Sequence, residues 1–139
     1  MDANIVIAAF LRDSTVRRIM TLSLIDLLAP EFLNEEIRHH LPILRRRSGL
    51  SRGASVELLS TLRGSVTFVP AEALLPHWER ASRAMAPVDP ADIADVAAAL
   101  ASRSDGVWSD DPHLKEQRAV ACWTTKELLE ALRSQGLKL

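Results

Sequence analysis

Four acidic side chains stand at points along the chain where they could share one site. Asp2 precedes an apolar segment, Glu36 and Asp92 begin two later helical segments, and Asp111 follows the short apolar segment that ends at Trp108. For any one of them the ordinary explanation is structural, because acids favour the positive end of a helix dipole. Taken together, however, the four acids indicate a site that binds a cation. Four carboxylates in one crevice repel each other and need a cation at neutral pH, and hard oxygen ligands suit Mg²⁺ or Mn²⁺ better than zinc.

The segments that must position these acids alternate between helix and strand. Apolar spacing and capping residues predict helices over 4–20, 32–47 with Pro42 as a kink, 51–64, 71–86, from Pro90 onward, and after a capping box at 124–127. Strands are predicted over 22–29, 66–69, 106–108 and 119–123. This alternation predicts an α/β domain with a largely parallel sheet covered by helices, in which ligands bind at the carboxyl ends of the strands.

Composition excludes several other classes of protein. The chain has 139 residues, 47% of them hydrophobic, a net charge of −1 and one cysteine, Cys122. A disulfide scaffold and a cysteine-based zinc module are therefore excluded, and a reducing, cytoplasmic setting is expected. The longest apolar run, 5–11, is too short to span a membrane. No Walker, dinucleotide-binding, zincin or serine-hydrolase motif is found in the sequence.

Several short stretches, in this order, resemble the PIN-domain nucleases. They are DANIV (2–6), EEI (35–37), DPAD (89–92) with VAAAL (96–100), WSDD (108–111) and WTTKEL (123–128). The resemblance spans nearly the whole chain, so residues 1–139 are expected to form a single domain. It implies a three-layer α/β/α, Rossmann-like fold with a central parallel sheet of about five strands.

The same resemblance implies roles for particular residues. Asp2, Asp92 and Asp111 match acids that coordinate the cation, directly or through water, and Glu36 matches the acid that positions or deprotonates the attacking water. We expect Asn4 and Ser109 to orient these carboxylates by hydrogen bonding.

The N-terminus departs from the family pattern, in which the first acid ends a strand in the middle of the sheet. Only Met1 precedes Asp2. Because a missing central strand leaves unpaired backbone groups on both neighbours, we expect Met1 to be an internal residue of that strand and the natural protein to begin upstream.

Other polar residues have ordinary explanations beside their functional ones. Arg45, Arg46 and Arg47 could track a nucleic-acid backbone or could end a helix in solvent. Asp95 is expected to face solvent, and Asp110 to point away from Asp111. The remaining such residues are interpreted as surface or core groups: His39, His40, His77, His113, Cys122, Trp78, Trp108 and Trp123.

The resulting hypothesis is an endoribonuclease that uses Mg²⁺ or Mn²⁺ held by Asp2, Glu36, Asp92 and Asp111. RNA is the expected substrate, and no membrane is involved. A small antitoxin protein is an expected partner if the chain is of the toxin type, as opposed to a stand-alone nuclease, and a homodimer is compatible with either. The alternative is a PIN-like scaffold that binds protein or nucleic acid without catalysis, with at least one of the four carboxylates outside the crevice or locked in a salt bridge. A phospho-acceptor receiver domain is a weaker third hypothesis. Such a domain needs a lysine near the end of its last strand, and the only candidate, Lys126, lies inside a capping box.

Overall fold

A computed structural model of the chain describes residues 1–11, 15–85 and 90–138. Its helices are α1 (Ala3–Leu11), α2 (Thr15–Met20), α3 (Leu33–Ser48), α4 (Arg52–Gly64), α5 (Ala71–Ala84), α6 (Pro90–Ser102), α7 (Pro112–Glu116) and α8 (Thr125–Ser134). Its strands are β1 (Leu27–Pro30), β2 (Val66–Val69), β3 (Val107–Trp108) and β4 (Cys122–Trp123). None of the helices in these ranges is both long enough and apolar enough to cross a membrane.

The strands form two parallel pairs, β1 with β2 and β3 with β4. The parallel arrangement confirms the predicted α/β class, but a central sheet of five strands is not confirmed for the described residues. Met1 and Asp2 lie between the pairs. The Met1 ammonium donates to the Leu28 carbonyl of β1 at 3.3 Å, and the Asp2 N–H donates to the Trp108 carbonyl of β3 at 3.3 Å. Two residues bridge the pairs without forming a strand, which is why a continuous sheet does not form here.

Helices cover both faces of the paired strands. Leu27 and Ala29 of β1 pack into a cluster with α1, α3 and α8, whereas Leu28 between them packs into a second cluster with α5 and α6. Successive side chains of a strand point to opposite faces, so this division places the strands between two helical layers, as the α/β/α prediction requires. The side of α6 that meets β1 is rich in buried alanine, which allows helix and strand to approach closely.

Helix ends follow the predicted capping signals in most places. Ser51 accepts from the Ala54 N–H, Gly49 ends α3 with φ +68°, and Thr124 forms a capping box with Glu127. Pro42 lies inside α3 without interrupting it. Asp89, the acid before Pro90 that we expect to cap the helix predicted from Pro90 onward, lies outside the described residues.

Three predicted strands are shorter in the structure, and one helix was not predicted. β3 begins at Val107 instead of residue 106. β1 begins at Leu27 instead of residue 22, and β4 covers only Cys122 and Trp123. The additional helix is α7, whose five residues are too few to show apolar periodicity.

Candidate active site

A cleft of about 220 Å³ opens at the carboxyl ends of β1 and β3. Most of its side chains come from the start of α1, the first half of α3, the first turns of α6 and the segment after β3. The lining residues are Asp2, Ala3, Asn4, Ile7, Glu36, His40, Ala91, Asp92, Asp95 and Asp111. All four acids singled out from the sequence therefore line one cleft, and Asp95 joins them.

Asp2 is held in place from three directions. Its carboxylate accepts from the Ile5 N–H at 3.2 Å, the bond of an N-cap residue, and from the Asn4 N–H. The Ser109 hydroxyl donates to the other carboxylate oxygen in a short hydrogen bond. Because the residue is only 5% exposed, burial raises the pKa of Asp2, and these hydrogen bonds only partly offset the effect.

Ser109 links two of the acidic residues through one hydroxyl group. It is fully buried, donates to Asp2 and accepts from the Asp111 N–H at 3.0 Å. Its own N–H extends the pairing of β3 with β4 by donating to the Trp123 carbonyl at 3.0 Å. The contact with Asp2 is the one expected of Ser109. Asn4 differs, because its side chain is exposed and its bond to Asp2 comes from the backbone.

Asp111 has a structural role as well as a place in the cleft. Its carboxylate caps α7 by accepting from the His113 N–H at 2.9 Å. The adjacent Asp110 points elsewhere and accepts from both the N–H and the hydroxyl of Thr125, each at 2.7 Å. The prediction that these neighbouring acids diverge is confirmed.

Asp95 is the clearest departure from the sequence-based expectation. It was expected to face solvent, but it is 4% exposed and lines the cleft. The prediction was wrong because Asp95 lies on the face of α6 that packs inward, with Ala94 and Val96 also buried beside it. Burial is the main cause that raises the pKa of Asp95 well above the ordinary value, and the carboxylates of Asp2, Asp92 and Glu36 raise it further.

His40 is a lining residue that the sequence analysis missed. It lies four residues after Glu36, so both side chains fall on the same face of α3. That spacing was the available signal. The three arginines lie at the other end of the same helix, with Arg46 and Arg47 exposed and Arg45 half-buried.

The donor chemistry of the cleft fits a hard divalent cation, although the side chains do not converge on one point. Among residues 1–11, 15–85 and 90–138, no group of three or more His, Cys, Asp or Glu side chains is arranged to hold a metal ion. Oxygen atoms of Asp2 and Asp111 are instead engaged by Ser109, Ile5 and His113. Five carboxylates around one cleft are nevertheless the ligand type that Mg²⁺ and Mn²⁺ prefer.

These features define an α/β domain with an acidic cleft at the carboxyl ends of its parallel strands. Residues 1–133 match the sequence profile of the PIN domain, so the chain belongs to the PIN domain family. The resemblance noted in the sequence is thereby confirmed. PIN domains are generally nucleases and usually use divalent metals, which supports a nuclease-type function here. No match was found among curated proteins or among solved structures.

Proposed function

We propose that this protein is an endoribonuclease that hydrolyses RNA with Mg²⁺ or Mn²⁺ bound in the acidic cleft. The observation that carries the proposal is that Asp2, Glu36, Asp92 and Asp111, from four separate segments of the chain, all line one cleft. The scaffold alternative expects at least one of them to lie outside the cleft or to be held in a salt bridge, and the common placement of all four supports the nuclease on the first of these points.

Each acid has a distinct part in the proposed reaction. Asp2, Asp92 and Asp111 would hold the cation, and Glu36 would orient the attacking water and accept its proton. The cation, when bound, supplies positive charge for the phosphate and makes water more acidic. Ser109 fixes the direction of the Asp2 carboxylate, which limits the rearrangement needed at that ligand.

The RNA backbone would extend from the cleft along α3. Arg47 lies eleven residues after Glu36, which in a regular helix is about 16 Å along the axis and nearly the same face. Arg46 and Arg47 are exposed and free to meet phosphate oxygens there. In this proposal the arginine side chains at the end of α3 contact the RNA outside the acidic cleft.

The first test is a thermal melt with and without millimolar Mn²⁺, followed by cleavage of a labelled single-stranded RNA. The wild-type protein should gain several degrees in Tm with Mn²⁺ and should cleave the RNA until EDTA is added. Asp92→Asn should lose both effects. The matched control is Asp105→Asn, an exposed aspartate outside the cleft, which should keep both.

Two results would favour the scaffold alternative. They are a wild-type Tm that Mn²⁺ does not change, and an Asp92→Asn variant that cleaves RNA as well as the wild type.

The double variant Arg46→Ala, Arg47→Ala tests the proposed contact of RNA with the end of α3. It should weaken RNA binding and lower the salt dependence of affinity by about 0.7 per lost phosphate contact, with the Mn²⁺ shift unchanged. Pairing with a small antitoxin and homodimer formation remain predictions from the resemblance.

A further inference from the structure

Asp95 is a buried acidic residue to which the proposed reaction assigns no part. Its carboxyl group is carried on the second turn of α6, three residues after Asp92 and on the same side of the helix. It is 4% exposed, and the exposed remainder borders the acidic cleft. The side chain is therefore buried and directed into the cleft.

Nothing in the described ranges satisfies this carboxyl group. No hydrogen bond or salt bridge to Asp95 is found among residues 1–11, 15–85 and 90–138. Within the described part of the chain, the charges that act on it include the carboxylates of Asp2, Asp92 and Glu36 and the N-terminal ammonium of Met1. A buried carboxyl group without a hydrogen-bond donor is costly, and neighbouring carboxylates increase the cost of its ionised form.

We propose that Asp95 is an additional ligand of the divalent cation and binds it together with Asp92 from the α6 side of the cleft. The proposal rests on the cation-dependent function proposed above. A bound cation would supply the charge and the coordination that the protein does not provide to this side chain, and it would explain why a carboxylate is kept on the inward face of an alanine-rich helix. The assignment goes beyond the four acids of the family pattern, none of which corresponds to residue 95.

The test is the Mn²⁺ affinity of wild type, Asp95→Asn and Asp95→Leu, measured by isothermal titration calorimetry on the whole protein. Both variants remove the charge, but Asn keeps one oxygen ligand and Leu keeps none. Changes around a metal site commonly cost about 10–100-fold in affinity. We expect Asp95→Asn to bind Mn²⁺ about tenfold more weakly and Asp95→Leu at least about tenfold more weakly again. Asp105→Asn should bind as the wild type does.

The outcomes separate this proposal from the function on which it rests. Equal losses in Asp95→Asn and Asp95→Leu would mean that residue 95 acts through charge alone, and would overturn its assignment as a ligand. Full Mn²⁺ affinity in both variants, with affinity lost in Asp92→Asn, would overturn it too and leave the proposed function standing. A wild-type protein that binds no Mn²⁺ would refute the proposed function itself. Because an apolar side chain at a buried charged position is often neutral or stabilising, Asp95→Leu is expected to fold.

Discussion

Mild acidification is expected to stabilise this protein when no divalent cation is present. Burial raises the pKa of Asp95 well above 3.8, so between 3.8 and that raised value the folded state binds more protons than the unfolded state. The free energy of unfolding therefore falls as the pH rises through this window and is highest below it. The pKa of Asp2 is raised by burial as well, and it acts in the same direction.

The size of the effect follows from proton linkage. One proton taken up on folding changes the free energy of unfolding by at most ~1.4 kcal/mol per pH unit. An unfolding entropy of ~2.1 cal/mol/K per residue gives about 0.3 kcal/mol/K for a chain of 139 residues. The steepest part of the profile should therefore show a Tm that rises by about 5 °C for each unit of acidification.

The assay is a series of thermal melts in EDTA between pH 8 and pH 4.5 on wild type, Asp95→Asn and Asp105→Asn. Because Asp95→Asn differs from the wild type at residue 95 alone, the difference between their profiles isolates that residue. Asp95→Asn should melt above the wild type at pH 8 and should show a flatter profile. A wild-type Tm that does not rise on acidification, or an Asp95→Asn profile parallel to that of the wild type, would refute the reasoning.

Glu127 has the opposite effect on the free energy of unfolding, and this effect lowers stability at the acid end of the pH profile. Glu127 accepts hydrogen bonds from Lys115 and Thr124, and its bond to Lys115 is the main cause that lowers its pKa to about 2. A lowered pKa contributes stability above about 4.5 that is lost as the pH falls towards 2. Stability should therefore pass through a maximum on the acid side of neutrality.

Three further substitutions test the local structure. Ser109→Ala should cost about 1–3 kcal/mol, measured by urea unfolding, because it removes the hydroxyl between Asp2 and the Asp111 N–H, and it should weaken Mn²⁺ binding by calorimetry. Thr124→Ala should cost about 1 kcal/mol in the same urea series and leave Mn²⁺ affinity unchanged, since it removes only the cap of α8; a change in affinity would contradict the separation of cap and cleft. Gly106→Ala should lower Tm by more than Thr124→Ala does, because φ is +151° and a Cβ would lie 2.6 Å from the Ala121 carbonyl oxygen; an unchanged Tm would contradict the close approach.

Local signals in the sequence predicted most of the elements, and long-range pairing accounts for the differences. The caps at Ser51 and Thr124 depend on residues three positions apart, so they can be read directly from the sequence. Strand lengths depend on partners far along the chain, and residues 22–26 belong to no strand because β1 pairs with β2 only from Leu27 onward. The expected five-stranded sheet depends on what lies between β1 and β3, which local patterns do not specify.

The candidate site, too, was predicted from the sequence only in part. Parallel topology predicted a ligand site at the carboxyl ends of the strands, where acids after strands and on the first turns of helices would meet, and the four acids do line one cleft. The direction of Asp95 could not be read from its spacing to Asp92, because both faces of the first turns of α6 carry residues compatible with burial. His40 was missed because a Glu and a His four residues apart on one helix, as Glu36 and His40 are, do not by themselves make a metal-binding pattern.

The hydroxyl of Ser109 restricts which amino acids can replace it in the course of evolution. The position requires a group that donates to a carboxylate and accepts from a backbone N–H at once, within a fully buried volume. Among small side chains, hydroxyls alone do both strongly. Threonine meets the requirement if the core admits one more methyl group, whereas alanine, valine and glycine do not. Divergent descendants of this chain that retain Asp2 and the cleft are therefore expected to alternate at residue 109 between serine and threonine.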